Sequence, residues 1–592
     1  MSRFKSKFLS VLMAGIIVVG CQNKPGFELD FSGSRLEVII AGQAYATDST
    51  YNWGNVSSGA PIVINGTLRN KSAFGITMAG DQALTVAGTH ATDISLAQPA
   101  NAVIAPGATE NFTITVTPQA AFTRNASISI TTTPGNDKFT LNLKGYRYGL
   151  VLVKDINPGA GNSSPAKLAL INSTLYFAAN NGTNGIELWK SDGTPEGTVM
   201  VRDINSGAGN SSPYNMTQLG STILFAADDG SLGSELWKTD GTAGGTSLVR
   251  DIYSLATGSN IGGSIGNSFA VFNGNIYFCA ETAAENEELW KSDGTFAGTQ
   301  MISDLNTTAG ISGCYGDIFI HSNARVLFHG RDAGSGREVF KTTGVVGNMS
   351  LVAEINPTTG WSNPGDFFNV NGVTVFTADD GSTGRELWKI TGGTATGATL
   401  VKDIRVGGGN SSPQYFAVLG SNLLFAATNG SAANGTELWL SDSTLTGAGT
   451  NMLKDINAGT VDSFPKYLTT MGSRVYFQAC ETATDCELWM TDATVPGTVR
   501  LKDINPGAGN SSNPANLVAI GSTLYFTATD GVNGTELWRS DGTDAGTYMV
   551  SDINAGAANS SPANLTPFGN SLYFSATTAT NGTELYIYVP PP

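Results

Sequence analysis

The 592-residue sequence contains little charge and very little histidine. Charged residues make up 14% of the chain and there are three histidines, whereas about a quarter of an average soluble protein is charged. Lys and Arg number 32 against 48 Asp and Glu, a formal net charge of −16. Proteins that bind nucleic acid need a basic surface, so this balance argues against that class. The scarcity of histidine leaves few of the side chains that most often perform acid–base catalysis.

Proline and cysteine are also scarce, whereas glycine is abundant. The 73 glycines and 22 prolines together make up roughly 16% of the chain, below the roughly 25–30% typical of low-complexity disorder. With 41% hydrophobic residues, the chain can bury a large core. None of the five cysteines lies in a CxxC or Cys/His zinc spacing. The composition therefore predicts a folded, turn-rich β protein of two or more domains.

Residues 1–20 have the pattern of a secretory signal peptide. Three basic residues precede an apolar stretch from Phe8 to Val19, which is shorter than a transmembrane helix requires. Small residues then lead directly to Cys21, an arrangement that resembles the lipobox of bacterial lipoproteins. The resemblance implies that Cys21 is acylated and attaches the protein to the membrane, and Gln22 favours the outer membrane. An ordinary secretory signal that happens to precede a cysteine is the alternative.

The four other cysteines fit an oxidising compartment. Cys480 and Cys486 bracket a short loop between two predicted strands, so they could form a disulfide across a hairpin. Cys279 and Cys314 fall in neighbouring repeats and could also pair with each other. Four buried free thiols are the alternative.

Residues 31–147 alternate apolar and polar side chains in short runs separated by Gly, Pro, Asn and Asp. Short strands at regular spacing predict an antiparallel β-sandwich. The stretch IAPGATENFTITVTP resembles the immunoglobulin-like domains of the choice-of-anchor or abnormal-spindle type, which implies a spacer or adhesive module. Residues 21–30 are then a lipidated linker between the signal peptide and this domain.

Residues 148–592 consist of nine repeats of 48–53 residues. Each repeat contains an ELW-like element followed in most copies by a DGT turn, and this pattern resembles the bacterial ELWxxDGT-repeat family. The glutamate of that element recurs nine times, at Glu187, Glu235, Glu288, Glu338, Glu386, Glu437, Glu487, Glu536 and Glu584.

Each repeat divides into four strand-length runs joined by short turns, many of them containing Asn or Asp-Gly. The second run is apolar on both faces, so each four-stranded sheet must be covered on both sides, as in a β-propeller. The last repeat lacks its fourth run, and a matching run at 149–156 precedes the first repeat. We therefore predict an all-β chain in which an immunoglobulin-like sandwich precedes a nine-bladed propeller closed by that strand. An eight-bladed ring with a displaced repeat and an open superhelix are the alternatives.

The repeated residues are expected to be structural. We expect the tryptophans to pack blades together and the glutamates to serve as internal hydrogen-bonding staples. The tryptophans are Trp189, Trp237, Trp290, Trp388, Trp439, Trp489 and Trp538. Loops such as those at Asp228 and Asp379 could bind calcium through clustered oxygens, although turn formation by Asp and Asn is the simpler interpretation. We expect no other metal and no cofactor.

The fourth and fifth repeats depart most from the common pattern and could form a partner-binding sector. Aromatic and arginine side chains dominate binding hot spots, and several cluster here together with Asp317 and two of the three histidines. Decay of the repeat under weak selection is the alternative. The candidate residues are Tyr315, His321, His329, Arg331, Arg337, Trp361 and Arg385.

No Ser-His-Asp arrangement, HExxH motif or phosphate-binding loop is recognisable, so no catalytic residue is predicted. The sequence favours a monomeric, non-enzymatic lipoprotein of the bacterial cell envelope, anchored through Cys21 and exposed at the surface. Its propeller would present a binding face to a protein or glycan partner. The second interpretation is a periplasm-facing assembly scaffold, and the third is a propeller hydrolase or lyase that acts on glycans.

Overall fold

The computed structural model describes residues 35–591 except 57–60, 79–82, 121, 134–137, 254–268, 283–285, 308–310, 323, 358–359, 432–434 and 508. The predicted signal peptide, the linker at 21–30 and the acylation of Cys21 lie outside the described residues. No helix within the described ranges is long and apolar enough to cross a membrane.

The chain divides into two compact units. One consists of the described part of residues 1–51 together with Ile62–Val116 and Ala126–Leu143. The other consists of Asn52–Pro61, Thr117–Asn125 and Lys144–Pro592.

The amino-terminal strands form two antiparallel sheets. The first has the order β2-β1-β4-β9-β7 and the second the order β3-β11-β10-β5-β8, with β6 also paired to β10. Apolar side chains of alternate residues point inward, for example Leu36, Val38 and Ile40 on β1. The strands are β1 (Leu36–Ile40), β2 (Gln43–Tyr45), β3 (Ser49–Val56), β4 (Ile62–Asn70), β5 (Ile76–Met78), β6 (Leu84–Ala87), β7 (Ile94–Ala97), β8 (Val103–Ile104), β9 (Thr109–Val116), β10 (Phe122–Thr133) and β11 (Lys138–Arg147), with one 3-10 turn at Ala91–Asp93.

The repeats form nine four-stranded antiparallel sheets, which we number blades 1 to 9. Blades 1 to 3 contain β13 (Ala166–Ile171), β14 (Thr174–Asn180), β15 (Ile186–Ser191) and β16 (Val199–Arg202); β17 (Tyr214–Leu219), β18 (Thr222–Asp228), β19 (Ser234–Thr239) and β20 (Ser247–Arg250); and β21 (Ala270–Phe272), β22 (Asn275–Ala280), β23 (Glu288–Ser292) and β24 (Gln300–Ser303). Blades 4 to 6 contain β25 (Phe319–His321), β26 (Arg325–Arg331), β27 (Arg337–Thr342) and β28 (Met349–Ala353); β29 (Gly365–Val370), β30 (Val373–Asp379), β31 (Arg385–Thr391) and β32 (Gly397–Lys402); and β33 (Gln414–Leu419), β34 (Asn422–Thr428), β35 (Thr436–Ser441) and β36 (Thr450–Lys454). Blades 7 and 8 contain β37 (Lys466–Met471), β38 (Arg474–Thr482), β39 (Asp485–Thr491) and β40 (Val499–Lys502); and β41 (Ala515–Ile520), β42 (Thr523–Thr529), β43 (Thr535–Ser540) and β44 (Tyr548–Ser551).

Blade 9 is built from both ends of the repeat array. β45 (Ala563–Phe568), β46 (Ser571–Thr578) and β47 (Gly582–Val589) are completed by β12 (Gly149–Lys154). β12 pairs antiparallel with β47, and Val151 lies opposite Ile587. A hydrophobic cluster joins blade 9 to blade 1, as similar clusters join every other pair of successive blades. The predicted nine-bladed propeller closed by this strand is therefore confirmed, and the eight-bladed and superhelical alternatives are wrong.

The tryptophans of the repeat lie between blades. Trp189 contacts the cluster that blade 1 shares with blade 9, and Trp237 occupies the same place between blades 1 and 2. Phe340 takes this position in blade 4 and Tyr586 takes it in blade 9. Because the second strand of each blade is buried on both faces, as β14 is from Leu175 to Ala179, each sheet needs a neighbour on both sides.

The glutamates of the repeat connect each blade to the next. Glu187 accepts hydrogen bonds from the Ile204 N–H at 2.8 Å and from the Ser211 N–H and hydroxyl at 3.1 and 2.7 Å. Ser211 belongs to the segment that leads into blade 2. The same serine–glutamate pair recurs at six other blade junctions, with Oγ–carboxylate distances of 2.6–2.7 Å. The Asn-Ser-Ser stretch of the repeat thus provides the hydroxyl that this buried carboxylate requires.

Two disulfides occur in the propeller. One joins Cys279 on β22 of blade 3 to Cys314, which precedes blade 4. The other joins Cys480 to Cys486 across the β38–β39 hairpin of blade 7.

The acidic loops use their carboxylates within the turn. Asp229 Oδ1 accepts hydrogen bonds from the N–H groups of Ser231 and Leu232, and Asp380 Oδ1 does the same for Ser382 and Thr383. These are the side-chain-to-backbone bonds that stabilise Asx turns.

Candidate functional site

One repeat position places a side chain where a blade meets its successor. It is the residue immediately before the repeat glutamate, and its carbonyl accepts an N–H from the next blade, as Arg337 O accepts from Ser362 at 3.0 Å. This position carries a charge on three consecutive blades only, as Glu287, Arg337 and Arg385. In the other six copies it is uncharged, as Ile186, Ser234, Thr436, Cys486, Thr535 and Thr583.

A second repeat position adds two carboxylates. It lies at the start of the first strand of each blade and has a positive φ, +47° at Asp317 and +55° at Asp366. Non-glycine residues adopt this left-handed conformation infrequently, and Asp and Asn do so more readily than most. The corresponding residues of blades 1, 2, 6, 7, 8 and 9 are Lys167, Asn215, Tyr415, Tyr467, Asn516 and Asn564. An acidic residue therefore occupies this position on blades 4 and 5 alone among the blades where it is described.

These two positions meet in a cleft of about 420 Å³ at the junctions of blades 3, 4 and 5. We call it the charged cleft. Ser312, Tyr315 and the Asn363–Gly365 turn also contribute to its walls. Its titratable and charged lining residues are Glu287, Asp317, His329, Arg337, Asp366 and Arg385.

Glu287 is buried in the wall of the charged cleft, and one of its carboxyl oxygens is unpaired among the described residues. The residue is 9% exposed, and its Oε1 atom has no hydrogen-bond partner within the described ranges. Burial, reinforced by the negative charge of Glu281, raises the pKa of Glu287 to about 7. Near neutral pH this group therefore exists in both protonation states, which a surface carboxylate does not.

Asp317, Asp366 and Arg385 also line the charged cleft. Arg385 Nη2 lies 3.3 Å from Asp366 Oδ2, and the same guanidinium donates to Thr377 and to the Asn363 carbonyl. Burial and the neighbouring Asp366 charge raise the pKa of Asp317 to about 6, with Arg385 acting against them.

Gly365 gives these three groups the room to approach. A Cβ atom at this position would lie 2.9 Å from Arg385 Nη2 and 3.4 Å from Asp317 Oδ2. The first of these distances is shorter than a real Cβ contact, so a larger residue here would push the guanidinium away from the two carboxylates.

Arg337 is stacked between two aromatic rings. Its guanidinium carbon lies 3.9 Å from the centre of the Tyr315 ring and 4.4 Å from that of Trp361. Arg331 also lies over Trp361, at 5.5 Å. The structure shows no hydrogen bond or ion pair between the Arg337 side chain and any other described residue, and its Nε atom is buried without a partner.

His329 contacts the Tyr315 ring and is uncharged. Its ring centre is 5.5 Å from that of Tyr315, it is 8% exposed, and its Nε2 atom has no partner among the described residues. Burial, together with the positive charges of Arg337 and Arg385, lowers the pKa of His329 to about 3. The lining of the charged cleft therefore includes a neutral imidazole.

The structure brings six of the seven residues predicted from repeats four and five into or beside this cleft. His321 is the exception and corrects the prediction. It is 2% exposed, and its ring nitrogens lie 2.8 Å from Thr374 Oγ1 and 3.2 Å from the Gly392 carbonyl. Both nitrogens are thus engaged with blade 5, which leaves His321 unable to contact a partner.

Glu287 and Asp366 were missed by sequence reasoning. Both occupy repeat positions whose importance becomes visible only when the nine copies are aligned on the repeat glutamate. A charged residue directly before that glutamate, in three consecutive copies, is the signal that would have identified Glu287.

A second cleft occupies the equivalent place between blades 7 and 8, and it differs chemically. Its walls include Asp462, Lys466, Phe464, Gln478 and the disulfide-bonded Cys480 and Cys486. Cys486 stands at the repeat position of Arg337. A charged side chain directly before the repeat glutamate is therefore specific to blades 3 to 5 and is absent from this second cleft.

Searches against protein-family models and curated proteins found no match. The chain is similar to several solved structures. One is a quinoprotein alcohol dehydrogenase-like protein from Bacteroides thetaiotaomicron, with 11% identity over 79% of this chain and 97% of that chain and a TM-score of 0.30. Another is a puromycin-hydrolysing peptidase from Mycobacterium tuberculosis, with 9% identity over 64% and 61% of the two chains and a TM-score of 0.34. A third is a prolyl endopeptidase, with 10% identity over 63% and 55% of the two chains and a TM-score of 0.35.

The chain thus spans less than two thirds of the length of either peptidase. The peptidases among the similar structures contradict the function expected from the sequence, a binding lipoprotein or an assembly scaffold. At these identities the likeness concerns the fold and assigns no reaction to this chain.

Proposed function

We propose that the charged cleft is the active site of a hydrolase, with Glu287 as the general acid and Asp317 as the general base. The observation that supports this most directly is the buried carboxyl group of Glu287, whose Oε1 atom has no hydrogen-bond partner among the described residues. Burying a polar group without a hydrogen bond costs stability, and perturbed titratable groups in a cleft are concentrated at functional sites. Asp317, a second carboxyl group of different acidity that lines the same cleft, completes an acid–base pair.

Water is the nucleophile in this proposal. Ser312 and His329 both line the charged cleft, but His329 Nε2 has no hydrogen-bond partner among the described residues, so the described part of the cleft contains no hydrogen-bonded serine–histidine pair. Asp317 accepts a proton from the attacking water while the water oxygen forms a bond to the substrate. As the bond to the leaving group breaks, the proton of Glu287 passes to the leaving atom. Exchange with solvent then restores the protonated Glu287 and the ionised Asp317.

Asp366 and Arg385 position the base. The ion pair between them fixes the guanidinium next to Asp317. Its positive charge favours the ionised form of Asp317, which is the form that accepts a proton. Activity is therefore expected only between the two pKa values, with Asp317 ionised above about pH 6 and Glu287 protonated below about pH 7.

The proposal is tested with the purified full-length protein and three sets of chromogenic substrates: nitrophenyl glycosides, nitrophenyl esters and aminoacyl nitroanilides. We expect turnover of one class with a narrow maximum between about pH 6 and 7. Glu287→Gln keeps the shape of the side chain and removes the proton donor, so kcat should fall by about 10²–10⁴-fold.

Thr436→Gln is the matched control, because Thr436 holds the same repeat position on blade 6. It should leave kcat unchanged. Absence of turnover across all three classes, or equal kcat for the wild type and Glu287→Gln, would refute the proposal.

The location predicted from the sequence also stays a proposal. We propose that Cys21 carries the lipid anchor and that the protein belongs to the cell envelope. Support for this comes from the lipobox-like sequence before Cys21.

A further inference from the structure

The stacking of Arg337 prepares it for a ligand. Its guanidinium carbon lies within 4.4 Å of the centre of both the Tyr315 ring and the Trp361 ring, and its side chain makes no hydrogen bond or ion pair with any other described residue. Contact with two rings restricts the side chain and so lowers the conformational entropy that arginine would otherwise lose on binding. A planar fork of N–H donors matches a carboxylate, which can accept two parallel hydrogen bonds from it.

The fold itself does not require an arginine here. The structural task of this repeat position is performed by the backbone, since the Arg337 carbonyl accepts the N–H and the hydroxyl of Ser362. Thr436 and Cys486 perform the same task with short side chains. In addition, the Nε atoms of Arg337 and Arg331 are both buried without a partner among the described residues, so neither arginine is held here by a hydrogen bond at Nε.

The remaining charges of the cleft restrict the kind of anion. Glu287, Asp317 and Asp366 all line the same space, so a dianionic phosphate would meet more repulsion than a monoanion. His329 lines the cleft in its neutral form and adds no charge that would favour a dianion.

We propose that Arg337 binds a carboxylate group of the substrate, with Arg331 supporting it across the Trp361 ring. This inference rests on the proposed hydrolase, whose substrate class it names: small organic molecules with a carboxylate next to the bond that is cleaved. Arg337 is a binding residue in this scheme and takes no part in proton transfer.

The test is calorimetric titration of the full-length protein with two carboxylates, D-glucuronate and N-acetylglycine. Each is compared with its neutral counterpart, D-glucose or N-acetylglycinamide. We expect at least one carboxylate to bind roughly tenfold or more tightly than its neutral partner. The two arms separate a sugar acid from an acylated amino acid as the source of the carboxylate.

Three variants assign the binding to Arg337. Arg337→Gln should weaken carboxylate binding roughly tenfold or more, whereas Arg337→Lys, which keeps the charge and loses the planar fork, should give an intermediate loss. Lys167→Gln removes one positive charge from blade 1 and should change nothing. If Arg337→Gln does not fold, the comparison of Arg337→Lys with the wild type decides.

The inference is refuted if neither carboxylate binds more tightly than its neutral counterpart, or if carboxylate binding is the same in the wild type and both Arg337 variants. Its failure can be told apart from failure of the hydrolase proposal. Carboxylate binding without turnover would sustain the binding site and reject the hydrolase. Turnover that is the same in the wild type and the Arg337 variants would support the hydrolase and reject carboxylate binding by Arg337.

Discussion

Each buried serine–glutamate pair at a blade junction is called a staple. Removal of the serine hydroxyl from a single staple should destabilise the propeller in a pH-dependent manner. In Ser411→Ala the change deletes the hydroxyl that donates to Glu386 at 2.6 Å, where both side chains are almost fully buried. Hydrogen bonds to a charged group contribute about 1.5–3 kcal/mol. At about 2.1 cal/mol/K per residue, a ring of roughly 440 residues that unfolds as one unit should lose about 2–3 °C of Tm.

The sign of the pH dependence follows from the pKa of Glu386. Burial raises that pKa above the ordinary value of 4.5, and the Ser411 hydroxyl acts against the increase. Ionisation of Glu386 therefore reduces the free energy of unfolding as the pH rises above 4.5, and the hydroxyl limits this reduction. Ser411→Ala should thus cost more at pH 8 than at pH 4, where a neutral hydrogen bond is worth about 1 kcal/mol.

The assay is thermal unfolding followed by circular dichroism at pH 4 and pH 8. Ser412→Ala is the matched control, since the structure gives the neighbouring Ser412 hydroxyl no hydrogen bond among the described residues, and its Tm should stay closer to the wild type at both values. If Ser411→Ala lowers the Tm by the same amount at pH 4 and pH 8, or by no more than Ser412→Ala lowers it, the staple does not act through a charged Glu386.

Three further predictions concern other parts of the chain. Replacement of Cys279 and Cys314 by serine should lower the free energy of unfolding by about 3–4 kcal/mol, the value that the loop-entropy relation gives for a closed loop of 35 residues; denaturant unfolding measures it, and an unchanged midpoint would contradict it. Gly365→Ala should move Arg385 away from Asp317, which raises the pKa of Asp317 and shifts the acidic limb of the pH–rate profile upward; an unchanged limb would contradict this. Cys21→Ser should transfer the protein from the membrane fraction to the soluble fraction of its host cell, and retention in the membrane fraction would reject lipidation at this residue.

The fold was largely predictable because its determinants are local and repeated. Strand length, the turn residues and the apolar faces of the second strand all lie within some 50 residues, and nine copies made the pattern unmistakable. Closure of the ring could be predicted by counting strands. The last repeat lacks its fourth strand, and the matching strand, β12, precedes the first repeat and pairs with β47.

The charged cleft was less predictable because its residues meet through the geometry of the ring. Glu287, Arg337 and Arg385 are about 50 residues apart in sequence, and they approach only because successive blades place the same repeat position at successive junctions. His321 and His329 illustrate the converse difficulty. They lie in one divergent repeat, yet one ends β25 with its ring bound to blade 5, and the other lies on β26 and reaches the cleft.

The departures in repeat four argue that the cleft is more than decay of the pattern. Gly313 replaces the staple serine there, so Glu288 accepts backbone N–H bonds from Leu305, Asn306 and Gly313 but no hydroxyl bond among the described residues, and burial raises its pKa to about 8. The disulfide from Cys279 to Cys314 joins blades 3 and 4 at this same weakened junction. Random decay of the sequence would distribute destabilising changes over all nine blades. Here the missing staple serine, the disulfide and the buried Glu287 carboxyl group all lie beside one cleft, as expected where a functional site is retained at the expense of stability.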